Sequence, residues 1–105
     1  MNVRASRIVA DPAKAAADGG ASYRAMVESM RKAEGFLGAM LLIDRDTGNS
    51  LGLTFWENEK TLRASEELAN TFRREGASTV GATAEPTVER FEVLYYGVPH
   101  PAAIH

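Results

Sequence analysis

The run Phe36 to Ile43 (FLGAMLLI) constrains this chain most, because it is apolar at both odd and even positions. Successive side chains of a strand point to opposite faces, so such a run must be covered on both sides. The helices of one small domain can cover one face of its sheet, and something else must cover the other. The chain has 105 residues, enough for a single domain with one core and modest burial. It has no cysteine, so neither disulfides nor a thiolate-held metal brace it. A second subunit is the expected source of the missing cover.

Around that run the other elements can be read in order. Val3 to Val9 reads as a first strand, ended by Asp11-Pro12. Asp11 to Gly35 reads mostly as helix: Ala13 to Ala17 favours it, Gly19-Gly20 disfavours it, and Ser22 is the expected N-cap of the surer part. Tyr23, Met26, Val27 and Met30 recur on one helical face, and the two methionines read as core rather than metal ligands. Arg45-Asp46-Thr47-Gly48-Asn49 predicts a hairpin turn into a return strand, Ser50 to Glu57. The turn explains Asp44, Asp46 and Asn49 better than calcium does, since no EF-hand loop pattern is present. On the return strand Leu51, Leu53 and Phe55 share one face, and Gly52, Thr54 and Trp56 the other. Asn58 is the expected N-cap of a second helix with the stripe Leu62, Ser65, Ala69 and Phe72, and Gly76 is expected to end it. Ala77 to Glu85 reads as a loop. Thr87 to Tyr96 reads as the last strand, with Phe91, Val93 and Tyr95 opposite Val88, Arg90, Glu92 and Leu94.

The order strand, helix, strand, strand, helix, strand defines the expected fold class: α+β, a ferredoxin-like βαββαβ unit with an antiparallel sheet. Residues 1–97 are expected to form this domain. Residues 98–105 read as a C-terminal tail, carrying His100 and His105, that frays or docks on a partner. Trp56, Leu94 and half of the Phe36–Ile43 run are placed on the sheet face away from the helices. Left in water they would form an apolar patch of the kind that marks an interaction surface. Packing two such faces together by symmetry gives a homodimer.

Charge and motif content exclude several function classes. Twelve basic and fourteen acidic residues are dispersed along the chain, giving a net charge of −2. That argues against nucleic acid as a partner and against a polybasic membrane anchor. No apolar stretch approaches the roughly 20 residues that span a bilayer. Met1 to Arg4 lacks the apolar core of a signal peptide, so no membrane role and a cytoplasmic location are expected. Gly19-Gly20 does not follow a strand in a nucleotide-binding pattern. No serine has the local context of a hydrolase nucleophile.

Two stretches carry a family likeness: Gly35-Phe36-Leu37-Gly38 with its strand, and Phe55-Trp56-Glu57-Asn58-Glu59-Lys60-Thr61-Leu62 at the strand-to-helix junction. With Phe91-Glu92-Val93 in the last strand, the chain from Val3 to Tyr96 resembles the antibiotic biosynthesis monooxygenase family. The resemblance implies a dimeric α+β barrel with a cavity between each sheet and its helices. It implies an oxidoreductase: some members oxidise polycyclic phenols to quinones with oxygen and without metal or flavin. Others oxidise quinols, others bind and degrade haem, and others have no known activity. Matched residue by residue, the tryptophan of the quinone-forming enzymes falls on Trp56. Their asparagine falls on Gly52 and their tyrosine on Leu62. In the haem-degrading members an asparagine falls near Ser6, a tryptophan near Ser65 and the ligating histidine near Arg74 or Glu75. Haem degradation is thereby disfavoured, and no cofactor is expected.

The expected reading is a cofactor-independent monooxygenase acting on a small aromatic molecule, a quinol or polycyclic phenol, in a cavity beside Trp56. Trp56 would stack on a flat ligand. Ser6 or Thr54 would hydrogen-bond a phenol or quinone oxygen. Arg4 or Arg90 could hold a carboxylate or phenolate, but Arg90 is expected rather to pair with Glu92 or with a partner residue at the dimer seam. No catalytic residue and no metal site stands out. The alternative is a non-catalytic dimeric binding or regulatory module of the same fold, favoured by the loss of two polar site positions at Gly52 and Leu62.

Overall fold

A computed structural model describes residues 1–98; His100 and His105, and with them most of the expected tail, lie outside the described residues. The elements are β1 (Asn2–Val9), α1 (Pro12–Asp18), α2 (Ala21–Met30), β2 (Phe36–Ile43), β3 (Asn49–Trp56), α3 (Glu59–Ala64), α4 (Glu66–Thr79) and β4 (Thr87–Glu92). The strands form one antiparallel sheet in the order β2-β3-β1-β4. This is the expected α+β, ferredoxin-like arrangement, with both helical segments broken in two. Among the described residues no helix is long and apolar enough to cross a membrane.

Local chemistry explains the breaks. Asp11 caps α1 by accepting from the amides of Ala13 and Lys14, with Pro12 at the first helical position. Gly19 then adopts φ 57° and ends α1, and Gly20 precedes α2 without a side-chain cap. Ser22 is therefore not the N-cap the sequence suggested. It lies in the first turn of α2, and its hydroxyl donates to Asp18 at 2.7 Å. Asn58 does cap α3, accepting from the Thr61 amide at 2.9 Å. Ser65 bends the chain between α3 and α4. Gly76 does not end α4, which continues to Thr79; the buried Ala77 just beyond it outweighs the modest cost of one glycine.

The hairpin β2–β3 closes as expected: the Asp44 carboxylate accepts from the amides of Asp46 and Thr47, which occupies it in a turn. β4 is shorter than the expected Thr87–Tyr96. Its partner β1 runs out at Asn2, opposite Glu92, and Val93 makes the final bond to the Met1 carbonyl at 2.9 Å.

The register decides which sheet face meets the helices. Trp56, Thr54 and Gly52 of β3 align with Asn2, Arg4 and Ser6 of β1, and Thr54 and Gly52 with Ala39 and Leu41 of β2. This is the helix-covered face. Trp56 is fully buried and packs with Met30, Leu62 and Ala69, while Phe36 meets its ring edge-on at 5.4 Å. The expectation that Trp56 lies on the uncovered face is thus corrected: alternation tells which residues share a face, not which face the helices take. The uncovered face carries Leu51, Leu53 and Phe55, with Met40, Leu42 and Phe91 exposed beside them. Leu94 lies beyond the end of β4 and is 92% exposed. Tyr96 turns back to meet Phe55 edge-on at 5.9 Å.

Candidate functional site

Between the helix-facing side of the sheet and helices α1, α2 and α4 lies a cavity of about 260 Å³. Its walls are largely apolar, with Ile8, Met26, Met30, Leu41 and Phe72 among them. The polar groups enter from three directions. Arg4, Ser6 and Thr54 rise from the sheet, Tyr23 descends from α2, and Arg73 comes from α4.

Gly52 makes the position of Tyr23 possible. A Cβ on Gly52 would stand 2.7 Å from Tyr23 Cε1, closer than side chains tolerate. With that space open, the Tyr23 hydroxyl reaches the sheet and donates to the Leu53 carbonyl at 2.6 Å. Burial disfavours its ionised form and pushes its pKa up to about 12. Tyr23 is therefore a neutral donor near pH 7, not a base.

Arg4 is 2% exposed. Its Nη2 donates to the Leu62 carbonyl and to Ser65 Oγ, both at 2.7 Å, and its guanidinium lies 5.7 Å from the Trp56 ring centroid. Such a cation over an indole is a favourable contact. Glu66, in the first turn of α4, sits between two arginines. It accepts two hydrogen bonds from Arg90, at 2.6 and 2.8 Å, and approaches Arg4 at 3.4 Å. Arg4 and Arg90 face each other across β1 and β4, so Glu66 relieves a like-charge pair. The bond from Arg90 holds the Glu66 carboxyl below the usual range, and the same bond raises Arg90. Burial lowers both Arg4 and Arg73 from the ordinary arginine value. Both remain charged near neutral pH.

The residues singled out from sequence divide as follows. Arg4, Ser6 and Thr54 line the cavity; Trp56 and Arg90 do not. Trp56 stands behind Thr54, its Nε1 donating to Thr54 Oγ1 at 3.0 Å. Arg90 pairs with Glu66 rather than with Glu92. Sequence reasoning missed Tyr23 as a polar group and Arg73 altogether. Arg73 did leave a signal. It follows Ala69 by one helical turn on the apolar stripe of α4, where a charge is out of place. Its Nε donates to Ser6 Oγ at 3.2 Å and its Nη1 to Asn70.

Among the described residues no cluster of three metal-ligating side chains exists. Among the described residues the cavity lining contains no histidine, and the chain has no cysteine. Among the described residues haem would find only the thioethers of Met26 and Met30 and the already engaged Tyr23 hydroxyl. That donor set does not fit the usual axial ligation, and no step through haem follows from it.

Comparison with known proteins places the fold. No family model matches the chain. Two uncharacterized proteins of Mycobacterium tuberculosis are 28% identical over 78 residues, which is 74% of this chain and 34% of theirs. The chain thus spans about a third of the length of the curated relatives it matches. Among solved structures, a monooxygenase from the gene ActVA-Orf6 of Streptomyces coelicolor, in complex with nanaomycin D, superposes with a TM-score of 0.70. It is 21% identical, over 94% of this chain and 92% of that one. SnoaB, a cofactor-independent oxygenase from Streptomyces nogalater, gives 0.65 at 16% identity over 90% and 94%. The haem-degrader MhuD of Mycobacterium tuberculosis, with two haems in its active site, gives 0.66 at 20% identity over 93% and 100%. The fold is that of the antibiotic biosynthesis monooxygenases, and a structure of that description also matches.

Proposed function

We propose that the chain is a monooxygenase that oxidises a small phenol or quinol in the cavity between its sheet and helices α1, α2 and α4. The observation that carries this reading is the cavity itself: about 260 Å³, walled by apolar side chains, with guanidinium groups at Arg4 and Arg73. The fold shared with oxygenases supports it.

An electron-rich phenol can be its own reductant. As its anion it passes electrons to dioxygen, and the carbon para to the phenolate oxygen bonds one oxygen atom as a hydroperoxide. Loss of water then leaves the quinone. One oxygen atom enters the product, and the other leaves as water with the two hydrogens removed from the substrate. No cofactor is invoked. The protein favours the anion near fixed positive charge, away from bulk water. Ser6 Oγ accepts from Arg73 and Thr54 Oγ1 accepts from Trp56, which leaves both hydroxyl hydrogens free to donate to a ligand oxygen. Trp56 serves by orienting Thr54 rather than by stacking.

The working unit is proposed to be a homodimer joined through the uncovered sheet face, with residues 1–97 as its domain. A second reading, a non-catalytic binding module, draws support from Tyr23: it occupies the space over Gly52 and spends its hydroxyl on the backbone. Oxygen uptake with a panel of naphthols and quinols separates the two. Consumption above the buffer rate is expected. No acceleration across the panel, with binding intact, would overturn the oxygenase reading and leave the binding module.

A further inference from the structure

We propose that Arg4 and Arg73 form a carboxylate site in the cavity wall, so that the phenol or quinol it takes is also an aromatic carboxylic acid. The proposal rests on the cavity being the ligand site, and it adds the ligand's charge and class.

Arg4 is nine-tenths buried and more, yet only Nη2 is engaged; Nε and Nη1 have no partner among the described residues. Arg73 engages Nε and Nη1, and its buried Nη2 has none. Both side chains line the cavity. Buried polar groups are almost always satisfied, so three free donors on two neighbouring cations call for an acceptor.

Charge points the same way. Glu66 is committed to Arg90 through two short bonds and reaches Arg4 only at 3.4 Å. Two guanidiniums thus share one carboxylate, and Arg73 makes no ion pair among the described residues. Asp18, the one acidic residue in the cavity lining among the described residues, has both carboxylate oxygens bonded to Ser22. A buried charge is costly unless paired. A carboxylate brings one negative charge and two oxygens with about four lone-pair sites, enough to accept from both arginines. A phenolate offers one oxygen and cannot serve both as well. The apolar walls then receive the ring.

The test is calorimetric titration of the full chain with β-naphthoic acid and with β-naphthamide, its neutral counterpart of similar shape. The acid is expected to bind at least about tenfold more tightly, as charge-assisted bonds replace neutral ones. Arg73→Gln should reduce that preference to less than about twofold, whereas Arg63→Gln, on the exposed side of α3, should keep it. Arg4→Gln should also abolish it. Should that variant unfold, because Arg4 ties β1 to α3 and α4, Arg73→Gln decides alone. Equal affinities for acid and amide, no binding of the acid, or a preference that survives Arg73→Gln would each overturn the proposal. An acid preference without oxygen uptake would leave this site standing and sink the oxygenase reading. Turnover of neutral naphthols without an acid preference would do the reverse.

Discussion

At the scale of single residues, the site depends on one absence and one charge cluster. Gly52 leaves the room that Tyr23 fills, so Gly52→Ala should force Tyr23 to shift. Chemical denaturation should show a loss of about 1–3 kcal/mol, the usual cost of overpacking. An unchanged midpoint would mean that Tyr23 does not occupy that space. Among the described residues Glu66 is the only carboxylate shared by Arg4 and Arg90, and its pKa is lowered from the ordinary 4.5. A carboxylate held low stabilises the fold above its unfolded value. That contribution is lost as pH falls through the folded value. Acid should therefore destabilise the chain below about pH 4.5, and Glu66→Gln should flatten this dependence while costing about 2 kcal/mol near neutrality. An equally steep acid limb in the variant would contradict the assignment. Arg4, Ser6 and Thr54 could be named from strand alternation because each is polar within a strand of alternating pattern. Tyr23 could not, because a tyrosine on an apolar helical stripe reads as core until the glycine beneath it is known. Arg73 is legible in principle, as a charge on the apolar stripe of α4.

At the scale of elements, glycine has opposite meanings at two positions. Gly48 has φ 79°, and a Cβ there would lie 2.0 Å from the Ala10 carbonyl oxygen. Gly76 sits inside α4, and a Cβ there would meet open space. Thermal unfolding should show Gly48→Ala strongly destabilising and Gly76→Ala stabilising by up to about 1 kcal/mol. Shifts of the same sign would contradict this placement. Turn and cap chemistry made the β2–β3 hairpin and the start of α3 readable, since Asp44 and Asn58 act locally. The ends of α4 and β4 were not readable. Buried Ala77 carries the helix past its glycine, and the strand stops where β1 offers no further partner.

At the scale of the whole molecule, the doubly apolar run predicts cover on both faces; within one chain the helices cover one of them, and alternation could not say which. The helices cover Trp56, which leaves Met40, Leu42 and Phe91 exposed on the other side. If two copies pack there, sedimentation at micromolar concentration should show a dimer, and Leu42→Lys, a charge placed in the seam, should give a folded monomer. A monomeric parent chain would refute the dimer. The same fold encloses the cavity on which the functional reading rests. The most direct measurement is oxidation of a naphthol under isotopically labelled dioxygen, with the product analysed by mass spectrometry. The expected product is a quinone carrying one labelled oxygen atom, formed faster than in buffer and slowed by Arg73→Gln. A rate equal to buffer, or a quinone whose new oxygen comes from water, would contradict it.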